Sequence, residues 1–286
     1  MAASEPIRCG PALLQWGRRT FVMGIVNMAP DSFAGDGLAG DASAAEARGR
    51  AFREEGADLL DVGGQSTRPG APRVPVEEEL RRTIPAIRRL VPLGLPISVD
   101  TCSSVVAAAA LDAGAAMVND ISALRADPAM GPLVARAGVP VVLMDRDDRT
   151  AADDVMRDTI GFLRSRIAAA AAVGIPAARI IVDPGYGFGL TVAQNMAILR
   201  RLRELTVLGR PILIGTSRKG SIGKVLNLPV HERLEGTAAT VAIAIANGAD
   251  IVRVHDVRAM VRVARMADAV VRSGPTERSG GRPHSA

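Results

Sequence analysis

Residues 250–256 read Asp-Ile-Val-Arg-Val-His-Asp, and they close a series of short apolar runs along the chain. The β-branched residues predict a buried strand. Side chains alternate along a strand, so Arg253 and His255 share one face while Val252 and Val254 share the other. A guanidinium inside a sheet costs several kcal/mol unless an anion or a carboxylate meets it. The strand therefore demands a partner for Arg253, and the earlier runs say where to look.

Those runs are FVMGIVN (21–27), ADLLDVGG (57–64), PISVD (96–100), AMVNDIS (116–122), PVVLM (140–144), RIIVDPG (179–185) and PILIGTS (211–217). Between them lie helical patterns such as VEEELRRTIPAIRRL and AQNMAILRRLREL, and VRAMVRVARMADAVVR follows the last run. Gly56, Gly114, Gly138, Gly174 and Gly248 stand where helices end before the next strand. Eight strand–helix units in this order predict an α/β fold of the (β/α)₈ TIM-barrel type. A doubly wound sheet is the alternative, but no GxGxxG follows the first strand. The apolar segment ALLQWGRRTF (12–21) is expected to form an N-terminal hairpin capping the bottom of the barrel. The expected division is a flexible segment 1–11, one domain over 12–272, and a disordered Gly/Ser/Pro-rich tail over 273–286.

With 286 residues, 48% apolar and 23% charged, the chain is globular and can bury a large core. No apolar run approaches the ~18 residues of a membrane span, and the first residues lack a signal-peptide pattern. Cys9 and Cys102 make no disulfide framework, which suits a reducing, cytoplasmic setting. The net charge of +5 could suggest nucleic acid, but the arginines mix with acids along helices and aromatics amount to 2%. Nucleic acid and membrane partners are therefore not expected. Three histidines with no HxxxH or CxxC spacing also exclude zinc hydrolysis. Of 35 basic residues only Lys219 and Lys224 are lysine. A chain so rich in arginine keeps Lys219 in TSRKG, where a compact ammonium and a planar guanidinium are not equivalent.

Strand parity turns Asn27, Ser98, Asp100, Asn119, Met144, Asp183, Gly215, Ser217, Arg253 and His255 toward the barrel interior. Most lie near the carboxyl ends of their strands, where barrel enzymes hold their sites, and Lys219 follows just beyond the seventh strand. Mutual pairing of the charges is the plain alternative. Barrel layers are ordinarily branched and apolar, however, so this many polar groups at one mouth point to a site. The segments NMAPDSFAGDG (27–37) and GGQSTRPGAPR (63–73) read as loops able to close over it.

The motifs MGIVNMAPDSF, DVGGQSTRPGA, SVDT, VNDIS, DPGYGFG, GTSRKGSIG and RVHD, in that order, resemble the dihydropteroate synthase family from about residue 12 to 272. The resemblance implies a homodimeric TIM barrel, assisted by Mg²⁺, that joins p-aminobenzoate to 6-hydroxymethyl-7,8-dihydropterin diphosphate in an SN1-like reaction. It implies a pterin pocket of Asp100, Asn119, Ile121, Met144, Asp183, Phe188, Gly215 and Lys219. It further implies that Asn27, Arg253 and His255 hold the diphosphate, with Asn27 on the metal. Phe33, Thr67, Arg68, Pro69, Ser217 and Lys219 would then surround p-aminobenzoate. Asp100, Lys219, Asn27, Arg253 and His255 would carry the chemistry.

The sequence departs from the family pattern in four places. Met28-Ala29 and AGDG stand in the first loop, Asp145 replaces a histidine after the fifth strand, Leu190 replaces a lysine, and Gly220-Ser221 follows SRK. These changes gather around the aminobenzoate side, which makes a sulfonamide-insensitive, resistance-conferring variant an expectation to test. A pterin-dependent methyltransferase and a non-catalytic pterin-binding homologue remain as other readings. SRK and RVH speak against the former, and intact Asp100, Lys219 and Arg253 against the latter.

Overall fold

The computed structural model describes residues 5–30, 37–65, 74–147 and 149–272. The chain begins with two short strands, β1 (Ile7–Cys9) and β2 (Ala12–Leu14). The barrel units follow as β3 (Phe21–Asn27), α1 (Ala42–Glu55), β4 (Leu59–Gly63), α2 (Val76–Leu90), β5 (Ile97–Asp100), α3 (Ser104–Asp112), β6 (Met117–Asp120) and α4 (Met130–Ala137). The second half comprises β7 (Val141–Met144), α5 (Val155–Ala172), β8 (Ile180–Asp183), α6 (Val192–Arg201), β9 (Leu213–Ile214), α7 (Gly220–Leu226), α8 (Leu234–Ala246), β10 (Ile251–Val254) and α9 (Val257–Val271).

Strands β3 to β10 form one parallel sheet of eight, in the order β8-β7-β6-β5-β4-β3-β10-β9. The Ile251 run lies between β3 and β9, with Arg253 in register with Met23. A parallel bridge from Val182 to Ile212 joins the two outer strands and brings the barrel to closure. Helices cover the outside, as right-handed βαβ crossovers require. Asp41, Ser103, Asp154 and Thr191 cap α1, α3, α5 and α6 with side-chain oxygens, and Thr191 with Gln194 completes a capping box. The five glycines expected at helix ends all have positive φ, from 63° to 110°.

Parity sorts the core into two parts. Residues such as Val22, Val62, Val99, Val182 and Val252 face the helices and form the larger cluster with them. Inside the barrel, Met23, Leu59, Met117, Val142, Ile181, Leu213 and Ile251 form a second cluster closed by Ile7, Cys9, Leu14 and Trp16 from the amino-terminal segment.

The amino-terminal expectation needs correcting in its limits. The hairpin that plugs the barrel uses residues 7–14, not 12–21, with Ile7 paired to Leu14 and Cys9 to Ala12. Ile7 and Cys9 are 1% and 0% exposed, so a flexible segment reaching residue 11 is ruled out. The reason is long-range: the floor of the barrel offers apolar surface that a nine-residue view of the terminus does not contain. Trp16 meets Phe21 edge-on at 5.5 Å and seals the same end. The seventh barrel strand is also shorter than its apolar run. Beyond Gly215 the chain turns sharply, with Lys219 N donating to Thr216 O at 3.2 Å and Arg218 at φ 56°. Helix α7, within GSIGKVL, was not among the expected elements. Residues 273–286 lie outside the described residues.

Candidate active site

The expected inward residues do converge. Arg253 reaches from β10 across the barrel mouth, its Nε donating to Asp61 Oδ2 at 2.6 Å and its Nη2 to Asp100 Oδ2 at 2.8 Å. Asn119 Nδ2 donates to the same Asp61 oxygen at 3.1 Å. The partner that Arg253 demands is thus a pair of carboxylates. Asp61 is absent from the sequence-based set. The parity rule that turns Leu59 inward on β4 turns Asp61 inward as well, so the signal was present in ADLLDVGG.

Burial sets the protonation of this cluster. It pushes Asp100 up to about 7, with Arg253 opposing the rise and Asp61 adding to it. Asp183 is likewise pushed up by burial to about 6, although Gly185 N donates to its Oδ1 at 2.7 Å and Lys219 lies near. Lys219 opens to the cavity but is ringed by protein. Desolvation and the neighbouring Arg253 cation lower it to about 8, against the pull of Asp183 and Asp100. For Arg253 burial works against the cation, and the surrounding carboxylates more than offset it. All four groups are tuned by one another, as active-site groups commonly are.

Two turns place the remaining groups. In DPGYGFG, Gly185 has φ 72° and a Cβ there would sit 1.6 Å from Asp145 O, so no other residue fits. Gly187, at φ 85°, lets the Lys219 stem pass where a Cβ would stand 2.8 Å from Cδ. Lys219 Nζ then rests 3.8 Å from the centre of the Phe188 ring, a cation–π contact. In TSRKG, Arg218 donates from Nε to Asp256 Oδ2 at 3.0 Å, and its backbone N donates to Thr237 Oγ1 at 3.0 Å, which holds its left-handed backbone. Ser217 Oγ lies 2.9 Å from His255 Nδ1 and orients the imidazole. Asn27 Oδ1 accepts from Ala29 N at 3.0 Å and keeps a second lone pair.

A cavity of about 270 Å³ opens at this mouth. Of the expected residues, Asn27, Asp100, Phe188, Gly215, Ser217, Lys219, Arg253 and His255 line it. Asn119, Met144 and Asp183 are buried in the same barrel layer but do not line that space. Ile121 instead lines a second cavity of about 340 Å³, which shares Asp100 and Gln65 with the first. Phe33, Thr67, Arg68 and Pro69 lie outside the described residues. Among the described residues, no group of three or more His, Cys, Asp or Glu is arranged for a metal.

The departures at the fifth strand are accommodated locally. Asp145 is buried and accepts from Arg149 Nε and Nη2, both at 3.3 Å, while Arg149 also reaches Asp147. Arg149 N donates to Gly189 O at 2.8 Å and Gln194 Nε2 donates to Arg149 O, which ties this loop to DPGYGFG. The buried carboxylate thus has a cation four residues away in the same loop. Leu190 packs against the outer core, and among the described residues of the four departures only Gly220 lines the main cavity.

A closed parallel barrel with ionisable groups gathered at its carboxyl mouth is the architecture of a barrel enzyme. The family described as pterin binding enzyme matches residues 23–255, and the chain belongs to that family. The dihydropteroate synthase of Bacillus subtilis (strain 168) is 42% identical over 272 residues, covering 95% of both chains. The dihydropteroate synthase of Xanthomonas albilineans, solved with 4-aminobenzoic acid, is 46% identical, has a TM-score of 0.87, and covers 93% of this chain and 98% of its own. The Xanthomonas albilineans enzyme in complex with 7,8-dihydropteroate is 43% identical with a TM-score of 0.83, over 93% of this chain and 98% of that one.

Proposed function

We infer that this chain is a dihydropteroate synthase. It condenses p-aminobenzoate with 6-hydroxymethyl-7,8-dihydropterin diphosphate to give 7,8-dihydropteroate and diphosphate. The observation that carries the reading is the convergence of Asp100, Lys219, Arg253 and His255 on one cavity, in a chain similar to synthases over nearly its whole length.

A pterin is a flat heterocycle whose edge presents N–H donors and a carbonyl. Asp183 accepts from the edge, Asn119 and Asp100 complete it, and Lys219 donates to the carbonyl side. Ile121, Met144 and Phe188 supply apolar packing and Gly215 leaves room for the ring. Arg253 and His255 donate to the diphosphate, where negative charge grows as the C–O bond breaks. Asn27, whose side-chain oxygen accepts a single hydrogen bond from Ala29 N, would offer Mg²⁺ a neutral oxygen donor. When bound, that ion neutralises charge on the departing diphosphate.

The electron pair of the C–O bond leaves with diphosphate, and the pterin methylene is left cationic and delocalised into the ring. The Asp100 carboxylate opposes that positive charge. The aniline nitrogen attacks, a C–N bond forms, and the ammonium proton is lost to solvent. The amine is already nucleophilic, so positioning suffices. Ser217 and Lys219, with Phe33, Thr67, Arg68 and Pro69, are the residues proposed for the aminobenzoate end.

A homodimer is part of the same reading, supported by exposed apolar side chains on the adjoining helices α8 and α9, among them Ile243, Met266 and Val270. A cytoplasmic location accords with the absence, among the described residues, of any helix long and apolar enough to cross a membrane. An altered sulfonamide response rests on Gly220 at the cavity wall and on the changed first loop. A sulfathiazole inhibition curve matching that of an ordinary bacterial synthase ends that part of the proposal. The activity itself is tested by turnover with both substrates and Mg²⁺ beside an Arg253→Ala control. Diphosphate release that needs all three components and collapses in the control is the expected result; pterin binding without turnover refutes catalysis.

A further inference from the structure

Asp61 is 0% exposed and touches neither cavity, yet it organises two residues that the proposed reaction uses. Its Oδ2 accepts from Arg253 Nε at 2.6 Å and from Asn119 Nδ2 at 3.1 Å, while its Oδ1 is buried without a hydrogen-bond partner. A carboxylate held this deep, with half its accepting capacity unused, is costly in a barrel layer. Apolar residues occupy the equivalent positions one layer down, so the fold itself does not ask for it.

We propose that Asp61 is a positioning residue for the reaction: a fixed tether that holds Arg253 by Nε so that its Nη tip can pass from Asp100 to the diphosphate. The inference rests on the synthase reading, which places diphosphate at Arg253. Nε is the nitrogen nearest the stem, so a carboxylate bonded there fixes the plane of the guanidinium and leaves the outer nitrogens free to exchange partners. Asp100, bonded at Nη2 and lining the cavity, is the partner that can be given up. Once the tip moves to the leaving group, Asp100 is released to face the cationic pterin. Asp61 stays behind as the counter-ion, so the arginine never stands unpaired in the interior. The shared hydrogen bond to Asn119 couples the same tether to the pterin edge.

The discriminating variant is Asp61→Asn, nearly isosteric but unable to accept as a charge. Calorimetry with inorganic diphosphate and Mg²⁺ should show binding weakened about tenfold or more, the usual scale for losing an orienting partner. Turnover should show kcat/KM for the pterin diphosphate reduced by about a hundredfold, with KM for p-aminobenzoate within twofold of the unaltered chain. In an Arg253→Ala background the same change should weaken diphosphate binding no further, because only the hydrogen bond to Asn119, at the pterin edge, would be left for Asp61 to hold. Unaltered diphosphate affinity in a folded Asp61→Asn protein, or full additivity with Arg253→Ala, overturns the proposal. If Asp61→Asn does not fold, the unaltered protein still decides. The Arg253 Nε–H resonance, assigned by its loss in Arg253→Lys, should exchange slowly with water and remain so at saturating diphosphate. Exchange at the rate of free arginine refutes a tether. An unaltered chain without turnover would instead defeat the synthase reading, leaving the resonance experiment to judge the tether on its own.

Discussion

The lower and upper halves of the barrel interior are built on the same strands and could hardly differ more. Two residues up from Leu59 stands Asp61, and two up from Met117 stands Asn119. Ile181 is followed in the same way by Asp183, and Ile251 by Arg253. The lower layer is apolar and is sealed by the hairpin and Trp16. The upper layer carries mutually tuned charges that open onto a cavity. A strand advances about 6.6 Å over two residues, so stability and chemistry are separated by little more than one side-chain layer. The separation works because each layer answers to a different force. Burial of apolar surface needs no particular partner, whereas every charge in the upper layer needs one.

The sharpest way to break the comparison is Arg253→Ala. It should lower kcat/KM by about 10³-fold, as losing a principal donor to developing charge does. It also leaves Asp100 beside Asp61 without its cation, so melting temperature should drop further as pH rises and Asp100 ionises. Turnover and thermal melts across pH check both parts. The opposite probe is Leu59→Ala, one layer down. It should cost about 2–5 kcal/mol in urea unfolding while kcat/KM of the folded fraction stays within twofold, as a cavity in a packed core would. A large loss of activity there would show that the layers are not separate.

The pH profile sharpens the upper layer. Asp183 at about 6 and Asp100 at about 7 must be ionised to receive the pterin and its cation, so kcat/KM should rise through that range. It should fall above about 8 as Lys219 loses its proton. For stability the sign is reversed. Both carboxylates have folded pKa values above their unfolded ones, so their contribution is greatest below the unfolded value and is lost as pH climbs through 6 to 7. Asp183→Asn should therefore stabilise the protein at pH 8 and not at pH 4, read by urea unfolding. The smallest effect is expected at Arg149→Ala. It strands Asp145 without its cation at a cost of roughly 1–3 kcal/mol but should leave kcat/KM within twofold, since neither residue lines the cavity.

Much of this architecture is legible in the sequence. The strand runs, their parity and the glycine-marked helix ends are local properties, governed by the two-residue and 3.6-residue periods and by the left-handed backbone that glycine permits. They sufficed to place Asn119, Asp183, Arg253 and His255 on the inner face. Arg253 illustrates the limit. Its parity was readable, but its carboxylate partners come from 192 and 153 residues earlier in the chain.

Sequence alone thus determined the barrel, its inward-facing polar set apart from Asp61, and the family it resembles, because each is written in short-range pattern or motif. Tertiary structure alone decided three further things. It drew residues 7–9 into the plug, which depends on an apolar floor built by seven distant strands. It matched Asp145 with Arg149 across a turn whose form periodicity does not specify. It also brought Asp61 to Arg253, a pairing set by strand order, because the last barrel strand β10 pairs with the first, β3, and so lies one strand away from β4.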